Sequence, residues 1–242
     1  MKTIGLIGGM SWESTVHYYR IINESVRDAL GGLHSAKIVL YSVDLHQMEK
    51  LQAAGSWDKA AQVLASVAVT LESAGAELLV ICTNTMHNVA PAIEAAVGIP
   101  LLHIADPTAD AIKAAGLARV GLLGTRFTME QDFYRDRLET LHGIEVLIPG
   151  PDDRETVHHV IYQELCRGVL DDASRTAYRA VIQRLVEAGA QAIILGCTEI
   201  GMLVQPSDSA VPLFDTTELH ARAAARWAMS DEEMFETDTH AS

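Results

Sequence analysis

An internal duplication is the feature of this sequence that most restricts its fold. Residues 4–9 are IGLIGG and residues 120–125 are VGLLGT, with two glycines at matching positions. Farther along, residues 74–81 are AGAELLVI and residues 188–195 are AGAQAIIL. Segments that recur in the same order predict two copies of one structural unit.

Each copy of the second segment is followed by a predicted strand that carries an aspartate. The two strands are residues 104–108 (IADPT) and residues 213–217 (LFDTT). Three ordered matches favour duplication over the reuse of a common α/β phrase. We therefore predict two similar α/β domains that face each other across a cleft, with residues 1–100 and 210–230 in the first and residues 101–209 in the second.

Short aliphatic runs alternate with helix-length amphipathic segments along the chain. The segments predict helices over residues 57–74, 129–141 and 174–188, and Thr128 with Gln131 predicts a capping box at one helix start. The alternation is typical of parallel α/β architecture with right-handed crossovers. The aliphatic runs predict strands buried on both faces over residues 3–7, 38–43, 78–82, 101–104, 120–123, 146–148, 192–195 and 211–214.

The charge of the chain excludes some classes of partner. Its 242 residues include 32 acidic and 18 basic side chains, giving a formal net charge of −14. A general nucleic-acid binder needs basic surface, so we expect no nucleic-acid partner, whereas a small anionic substrate is compatible with a few local donors. No apolar run approaches the roughly 18 residues of a membrane helix, so we expect no membrane partner. The acidic tail, residues 231–242, is predicted to be disordered.

The cysteines and histidines predict neither a disulfide framework nor a metal site. Cys82, Cys166 and Cys197 are widely spaced and form no CxxC pair, which indicates a reducing, cytoplasmic location. His158 and His159 are the only adjacent histidines, and adjacent positions on a helix do not share a face. We therefore expect no metal.

Small polar residues collect where predicted strands end. In open parallel sheets, ligands bind beyond the carboxyl ends of the strands, here residues 8–11, 82–87, 124–128 and 196–201. The first loop lacks GxGxxG spacing and no Gly-Lys-Ser/Thr sequence occurs, so neither a dinucleotide site nor a P-loop is predicted. A site for a carboxylate-sized anion, or ordinary helix capping, is indicated by Ser11, Thr83, Asn84, Thr85, Thr125, Thr128 and Thr198.

Cys197 is the thiol best placed for chemistry. It follows a buried strand in the sequence GCTE, and we predict that it lies at a helix N-terminus, where the dipole would lower its pKa towards a usable thiolate. A buried structural thiol is the alternative. Cys166 is predicted to lie at a helix end without a chemical role.

The register of the duplication distinguishes Cys82 from Thr83. Gly75 is as far from Thr83 as Gly189 is from Cys197, so the gapless repeat places Thr83 at the cysteine position. Side chains alternate between the faces of a strand, and a shift of one residue moves a group away from the site. We predict that Thr83 faces the cleft and that Cys82 is turned into the packing.

Three motifs in this order resemble the aspartate/glutamate racemase superfamily: GLIGGM at residues 5–10, TNTMH at 83–87 and GCTE at 196–199. The likeness extends from residue 3 to about residue 228 and is closest to the broad-specificity and L-aspartate/glutamate-type amino-acid racemases of enteric bacteria. It implies two pseudo-symmetric flavodoxin-like domains with parallel sheets, the active site in the cleft between them, and usually a homodimer. It also implies racemisation without pyridoxal phosphate, metal or any other cofactor.

The resemblance further implies roles for individual residues. Family members use two thiols on opposite faces of the substrate α-carbon; Cys197 matches one, and Thr83 stands where most members have the other. We predict that Cys197 abstracts the proton and that the Thr83 side reprotonates, with L-to-D turnover as the favoured catalytic direction. The predicted substrate-binding residues are Met10, Gln52, Asn84, Thr85, Thr125, Thr198 and Glu199, of which Asn84, Thr85, Thr125 and Thr198 would donate to the carboxylate.

Substrate specificity stays open at this stage. Archaeal-type aspartate racemases carry an arginine after the second strand and a lysine late in the second half, and residues 44–52 and 164–167 do not reproduce that pair. Lys50 or Gln52 could substitute, so an acidic amino acid and a neutral polar one such as homoserine both fit. A decarboxylase or cis–trans isomerase of the same fold, and a catalytically inactive amino-acid-binding protein, are the competing functions.

Overall fold

Eight strands form two four-stranded parallel sheets in the computed structural model, which describes residues 1–230. The chain divides into two units: the first contains Met1–Cys82, Val89–His103 and the chain from His220, and the second contains Thr83–Asn88 and Ile104–Leu219. The predicted disordered tail lies outside the described residues. Within residues 1–230, none of the helices has the length and apolar character needed to cross a membrane.

The first unit has the strand order β2-β1-β3-β4. Its core packs Ile4 and Leu6 of the sheet against Tyr18 and Ile22 of the first helix. Ser11 starts that helix, because its side chain accepts a hydrogen bond from the backbone N–H of Ser14. The elements are β1 (Thr3–Gly8), α1 (Trp12–Leu30), β2 (Lys37–Ser42), α2 (Leu45–Ala53), α3 (Trp57–Ser73), β3 (Leu78–Ile81), α4 (Ala90–Glu94) and β4 (Leu101–Leu102).

The second unit has the equivalent order β6-β5-β7-β8. Its elements are α5 (Ala105–Ala114), β5 (Arg119–Gly124), α6 (Arg126–Glu130), α7 (Asp132–Asp136), a π-helical turn (Arg137–Leu141), β6 (Glu145–Leu147), α8 (Pro151–Gln163), α9 (Asp172–Glu187), β7 (Ala192–Gly196), α10 (Ile200–Leu203), β8 (Leu213–Asp215) and the start of α11 (Thr216–Met229). Short 3₁₀ turns occupy Thr85–Val89, Leu165–Arg167 and Pro206–Asp208. The order 2-1-3-4 in each unit is that of a flavodoxin-like sheet, which confirms the predicted fold class.

The strand ladders confirm the register of the duplication. Ile4 pairs with Leu78 between β1 and β3, and Val120 pairs with Ala192 between β5 and β7. The hydrogen bond that precedes each of these pairs is also repeated. The Glu77 N–H donates to the Thr3 carbonyl at 2.8 Å, and the Gln191 N–H donates to the Arg119 carbonyl at 2.9 Å. The two sheets are therefore built in the same register.

This register makes Thr83 and Cys197 equivalent. Thr83 lies five residues beyond Leu78, and Cys197 lies five residues beyond Ala192. Cys82 corresponds to Gly196, the last residue of β7. The hydrogen bonds of the ladder thus give the same equivalence that the gapless repeat predicts.

The third match in the duplication, between two aspartates, is wrong. Leu102 of β4 and Phe214 of β8 are equivalent in the two ladders, which places His103 opposite Asp215. Asp106 lies inside α5 instead, in an ion pair with Arg137. Residues 104–108 follow β4, whereas residues 213–217 include β8 itself, so the two aspartates have different structural roles.

The prediction that every strand is buried on both faces fails for β2. This strand lies at the edge of its sheet and pairs only with β1. Its side chains Leu40 and Tyr41 are 45% and 42% exposed. An aliphatic run in the sequence therefore does not distinguish an edge strand from a central strand.

The predicted helix over residues 129–141 is divided into three short helical pieces. Gln131 has extended backbone angles, φ −88° and ψ 151°, and separates α6 from α7. The predicted capping box at Thr128 and Gln131 is also wrong, because Thr125 caps α6 and accepts a hydrogen bond from the Thr128 N–H at 3.2 Å. Thr128 is consequently free to take part in a side-chain cluster.

The unit boundaries differ from the predicted halves in three places, the smallest being residues 101–103, which group with the first unit. Residues 210–219 belong with the second unit because β8 pairs with β7. The loop Thr83–Asn88 also groups with the second unit, although it follows β3 of the first. As a result, most of the predicted site residues lie in one unit.

Candidate active site

Three threonine hydroxyls meet at the carboxyl end of β5. The Oγ1 atoms of Thr85 and Thr125 are 2.9 Å apart, those of Thr85 and Thr128 3.3 Å, and those of Thr125 and Thr128 3.2 Å. Gly124 allows this approach, because a Cβ there would lie 2.8 Å from the Gly196 carbonyl and 3.0 Å from the Thr128 Cβ. All three threonines are buried. Hydroxyl protons rotate, so the cluster can redirect donors towards an anion.

Asn84 is held by the first residue of α11. Its Nδ2 donates to Thr216 Oγ1 at 3.0 Å, and Thr216 Oγ1 donates to the Leu195 carbonyl at 2.9 Å. Because the single hydroxyl proton of Thr216 is directed to Leu195, the amide must present its NH₂ group to Thr216. The other amide atom, Asn84 Oδ1, is buried without a hydrogen-bond partner among the described residues. Asn84 therefore presents an open acceptor.

The GCTE segment forms a second polar cluster just beyond β7. Cys197 Sγ donates to Glu199 Oε2 at 2.9 Å, and Thr198 Oγ1 donates to the same oxygen at 2.8 Å. The other carboxylate oxygen, Glu199 Oε1, is buried and has no hydrogen-bond partner in the described part of the chain. Glu199, which was predicted to bind substrate, thus accepts a hydrogen bond from the Cys197 thiol.

The predicted lowering of the Cys197 pKa is wrong. Burial raises the pKa of the thiol well above its ordinary value, and the nearby Glu199 carboxylate raises it further. The expected helix dipole is weak here, because α10 is four residues long and begins at Ile200 after Glu199 as its N-cap. Cys197 therefore rests as a protonated thiol beside a proton acceptor.

Cys82 and Cys166 have structural surroundings. Cys82 is fully buried in the apolar cluster of the first unit, which confirms that it is turned into the packing, and burial raises the pKa of its thiol. Its Sγ lies 3.9 Å from the Val80 carbonyl. Cys166 lies in the 3₁₀ turn after α8 and packs against the core of the second unit, in agreement with its predicted place at a helix end.

The other predicted site residues are divided between the units. Met10 and Gln52 are buried in the first unit, Met10 two residues after the end of β1 and Gln52 on α2. The second unit contains the half-buried Thr83 together with Asn84, Thr85, Thr125, Cys197, Thr198 and Glu199. Within that unit, the structure brings Thr85 to Thr125 and brings Cys197 and Thr198 to Glu199.

Sequence reasoning missed Thr216. It lies beyond the carboxyl end of β8, and the same rule that selected the other four loops would have included this one. In the LFDTT segment the sequence comparison used Asp215 instead. Asp215 caps α11, and its Oδ1 accepts a hydrogen bond from the Thr217 N–H at 2.8 Å. No group of three or more metal-ligating side chains occurs within residues 1–230.

Comparison with known proteins agrees with the fold. The doubled flavodoxin-like sheet, with a thiol and hydroxyls beyond its strand ends, defines a two-unit α/β protein. A family model described as Asp/Glu/Hydantoin racemase matches residues 7–224. The chain therefore belongs to this racemase family, whose amino-acid racemases work without pyridoxal phosphate.

Solved structures and curated relatives give the same result. A candidate Asp/Glu racemase from Yersinia pestis is 61% identical, with a TM-score of 0.88 over 95% of this chain and 100% of that chain. An aspartate racemase homologue from Pyrococcus horikoshii is 33% identical, with a TM-score of 0.81 over 94% and 99% of the two chains. A glutamate racemase from a Roseiflexus species is 30% identical over 69% of this chain and 60% of its own length.

Proposed function

We propose that this protein is an amino-acid racemase for aspartate or glutamate, with Cys197 and Thr83 as the acid/base pair. The observation that carries the proposal is the equivalence of these two residues, which lie just beyond the matching strands β3 and β7. Related proteins described as Asp/Glu, aspartate and glutamate racemases support the substrate class. The hydroxyl of Thr83 makes the two acid/base groups chemically unequal.

In this mechanism Glu199 is the proton acceptor that converts the buried Cys197 thiol into a thiolate. The α-proton of an amino acid is very weakly acidic, so its removal needs a strong base. The proton of Cys197 passes to Glu199, which already accepts its hydrogen bond at 2.9 Å, and the thiolate removes the α-proton. A thiolate with a raised pKa is the stronger base for this step. Thr83 then donates a proton to the opposite face and recovers one from water, and Glu199 releases the proton that it took from Cys197 to solvent.

The remaining polar groups suit the two charged groups of an amino acid. The threonine cluster of Thr85, Thr125 and Thr128 offers donors to the carboxylate as negative charge builds in the transition state. The buried Asn84 Oδ1 is an acceptor and therefore suits the α-ammonium. This assigns Asn84 to the α-ammonium, whereas the family resemblance implies that Asn84 donates to the α-carboxylate.

The unequal pair favours L-to-D turnover as the catalytic direction, with Cys197 acting on the L-enantiomer. The equilibrium constant between enantiomers is unity, so kcat/KM must be the same in both directions. Only kcat, KM and the exchange of the α-proton can differ. The favoured direction is therefore the one with the larger kcat, and the enantiomer from which it starts exchanges its α-proton faster.

A racemase of neutral polar amino acids, such as homoserine, is the second candidate. The observation that favours it is that the predicted substrate-binding residues include no cationic side chain; Gln52 on α2 is a buried uncharged amide. Lys50 on the same helix is exposed. An amide can bind either a hydroxyl or a carboxylate, so Gln52 fits both substrate classes.

We also propose that the protein works as a homodimer in the cytoplasm. Trp12, Val16 and Tyr19 are 65%, 54% and 54% exposed, and their helical spacing places them along one side of α1. Such an apolar stripe on a chain of net charge −14 favours association with a second copy over a nucleic acid or a membrane. The three free cysteines support a reducing compartment. Light scattering should give twice the monomer mass for the wild type, and Val16→Glu should give monomer.

The decisive experiment follows optical rotation and CO₂ release with L-aspartate, L-glutamate and L-homoserine. Loss of rotation with an acidic substrate supports the first proposal, and loss with homoserine alone supports the second. Release of CO₂ indicates a decarboxylase of this fold, and binding without any reaction indicates an amino-acid-binding protein. Cys197→Ala should abolish turnover, whereas Cys82→Ala, the matched buried thiol, should retain it.

A further inference from the structure

His87 is a buried residue of the TNTMH segment that the proposed chemistry does not use. It is 1% exposed, and its ring bonds to two backbone groups of the second unit. His87 Nδ1 lies 2.8 Å from the Thr83 carbonyl, and the Ile104 N–H donates to His87 Nε2 at 3.1 Å. The ring thus joins the peptide of an acid/base residue to the first turn of α5.

These partners determine the state of the imidazole. A backbone N–H can only donate, so Nε2 must offer its lone pair to Ile104. A backbone carbonyl can only accept, so Nδ1 must carry the proton that is donated to Thr83. Only the neutral Nδ1–H tautomer satisfies both bonds, because the protonated ring would direct a second N–H at Ile104.

The bond to the Thr83 carbonyl fixes the peptide plane between Thr83 and Asn84. A second bond, from the His87 N–H to the Asn84 carbonyl at 3.0 Å, holds the next peptide of the same turn. The side chains of both residues project from this turn, so its position determines where the Thr83 hydroxyl lies. Cys197 sits on a different loop and makes its own bonds to Glu199.

We propose that His87 is a positioning residue, which holds the Thr83 peptide so that the hydroxyl can reprotonate the substrate. The inference rests on the proposed function, because it assigns His87 to the Thr83 side of that reaction. Loss of the His87–Thr83 bond should therefore slow inversion of the L-substrate. It should leave proton removal by Cys197 intact.

Two substitutions separate the bonds of the ring. His87→Asn keeps a side-chain N–H near the position of Nδ1 and loses the bond to Ile104. His87→Gln keeps an acceptor near the position of Nε2 and loses the bond to Thr83. Both replace the ring with a smaller amide, so the two variants form a matched pair for loss of packing.

The experiment starts each variant from L-substrate in heavy water. It measures inversion to the D-enantiomer and deuterium in the recovered L-enantiomer, with Thr83→Ala marking complete loss of that side. We expect His87→Gln to lower inversion about tenfold relative to His87→Asn, because a small displacement of a catalytic group costs this much or more. The ratio of retained exchange to inversion should rise in His87→Gln towards the Thr83→Ala value.

Equal inversion rates and equal ratios in the two variants would overturn the positioning role. Equal losses of inversion and of thermal stability in both would likewise reduce His87 to a packing residue. A wild-type protein that neither inverts nor exchanges any of the three substrates contradicts the proposed function instead. The two failures are therefore distinguishable.

Discussion

The Cys197 thiol donates a hydrogen bond to the Glu199 carboxylate, with 2.9 Å between Sγ and Oε2. This pair explains how a buried thiol can act as a base although burial and the carboxylate raise its pKa. The negative charge of Glu199 disfavours a free thiolate beside it. If the Glu199 carboxylate takes the thiol proton, however, the pair still carries only one negative charge, which moves from the carboxylate to the sulfur.

Glu199→Gln tests this exchange of the proton. The amide oxygen can still accept the thiol hydrogen bond but cannot take the proton, so kcat for L-substrate should fall about 100-fold, the range for a general base. Because Glu199 raises the pKa of Cys197, the variant thiol should also react with an alkylating reagent at lower pH than the wild-type thiol. Unchanged kcat together with an unchanged alkylation profile would falsify the role of Glu199.

The equivalence of Thr83 and Cys197 predicts the effect of a second thiol. Thr83→Cys should raise α-proton exchange from the D-enantiomer close to the rate from the L-enantiomer, because a thiolate is a far better base than a hydroxyl. Exchange measured by NMR in heavy water gives both rates. The matched control is Cys82→Ala, one residue earlier and buried in the packing, which should leave both rates unchanged. If Cys82→Ala abolishes exchange and Thr83→Ala does not, the register is wrong.

Much of this arrangement could be predicted from the sequence, because repeated segments carry their register with them. The ladders that pair Ile4 with Leu78 and Val120 with Ala192 follow from the aligned copies alone. The bond between Cys197 and Glu199 could not be predicted in this way. Residues two apart in a loop face each other only through backbone angles that no periodic pattern encodes.

Other failures have the same origin in local context. Thr125, rather than Thr128, caps α6, and either threonine fits the sequence rule for a cap. Strand β2 is exposed because it lies at a sheet edge, and an aliphatic run carries no information about its place in the sheet. Patterns therefore predicted the elements well, but they did not predict which polar atoms meet.

The threonine cluster predicts different costs for two valine substitutions. Thr85→Val removes a hydroxyl from the cluster with little change in shape, so it should lower kcat/KM with little effect on thermal stability. Thr125→Val removes a cluster hydroxyl and also the cap of α6, which should cost about 1 kcal/mol of folding stability in addition. Steady-state kinetics and thermal unfolding of both variants separate the two effects. Equal stability of the two variants would contradict the capping role of Thr125.

The buried thiols predict how stability depends on pH. In the folded protein the pKa values of Cys82 and Cys197 are raised, the first by burial and the second by burial and Glu199. Above the ordinary thiol pKa of about 8.5, the unfolded chain loses these protons while the folded chain keeps them. The folded state then binds more protons, so the free energy of unfolding falls as the pH rises, by up to about 1.4 kcal/mol per pH unit for each thiol.

Denaturant unfolding between pH 7 and 10 measures this slope. Cys82→Ala should reduce the slope of unfolding free energy against pH by the contribution of one thiol. The substitution also lowers stability at pH 7, because it leaves a small cavity. Cys197→Ala should remove the share of the other thiol. A slope that neither substitution changes would show that these thiols ionise alike in the folded and unfolded chains, and the thiolate of Cys197 would then need no help from Glu199.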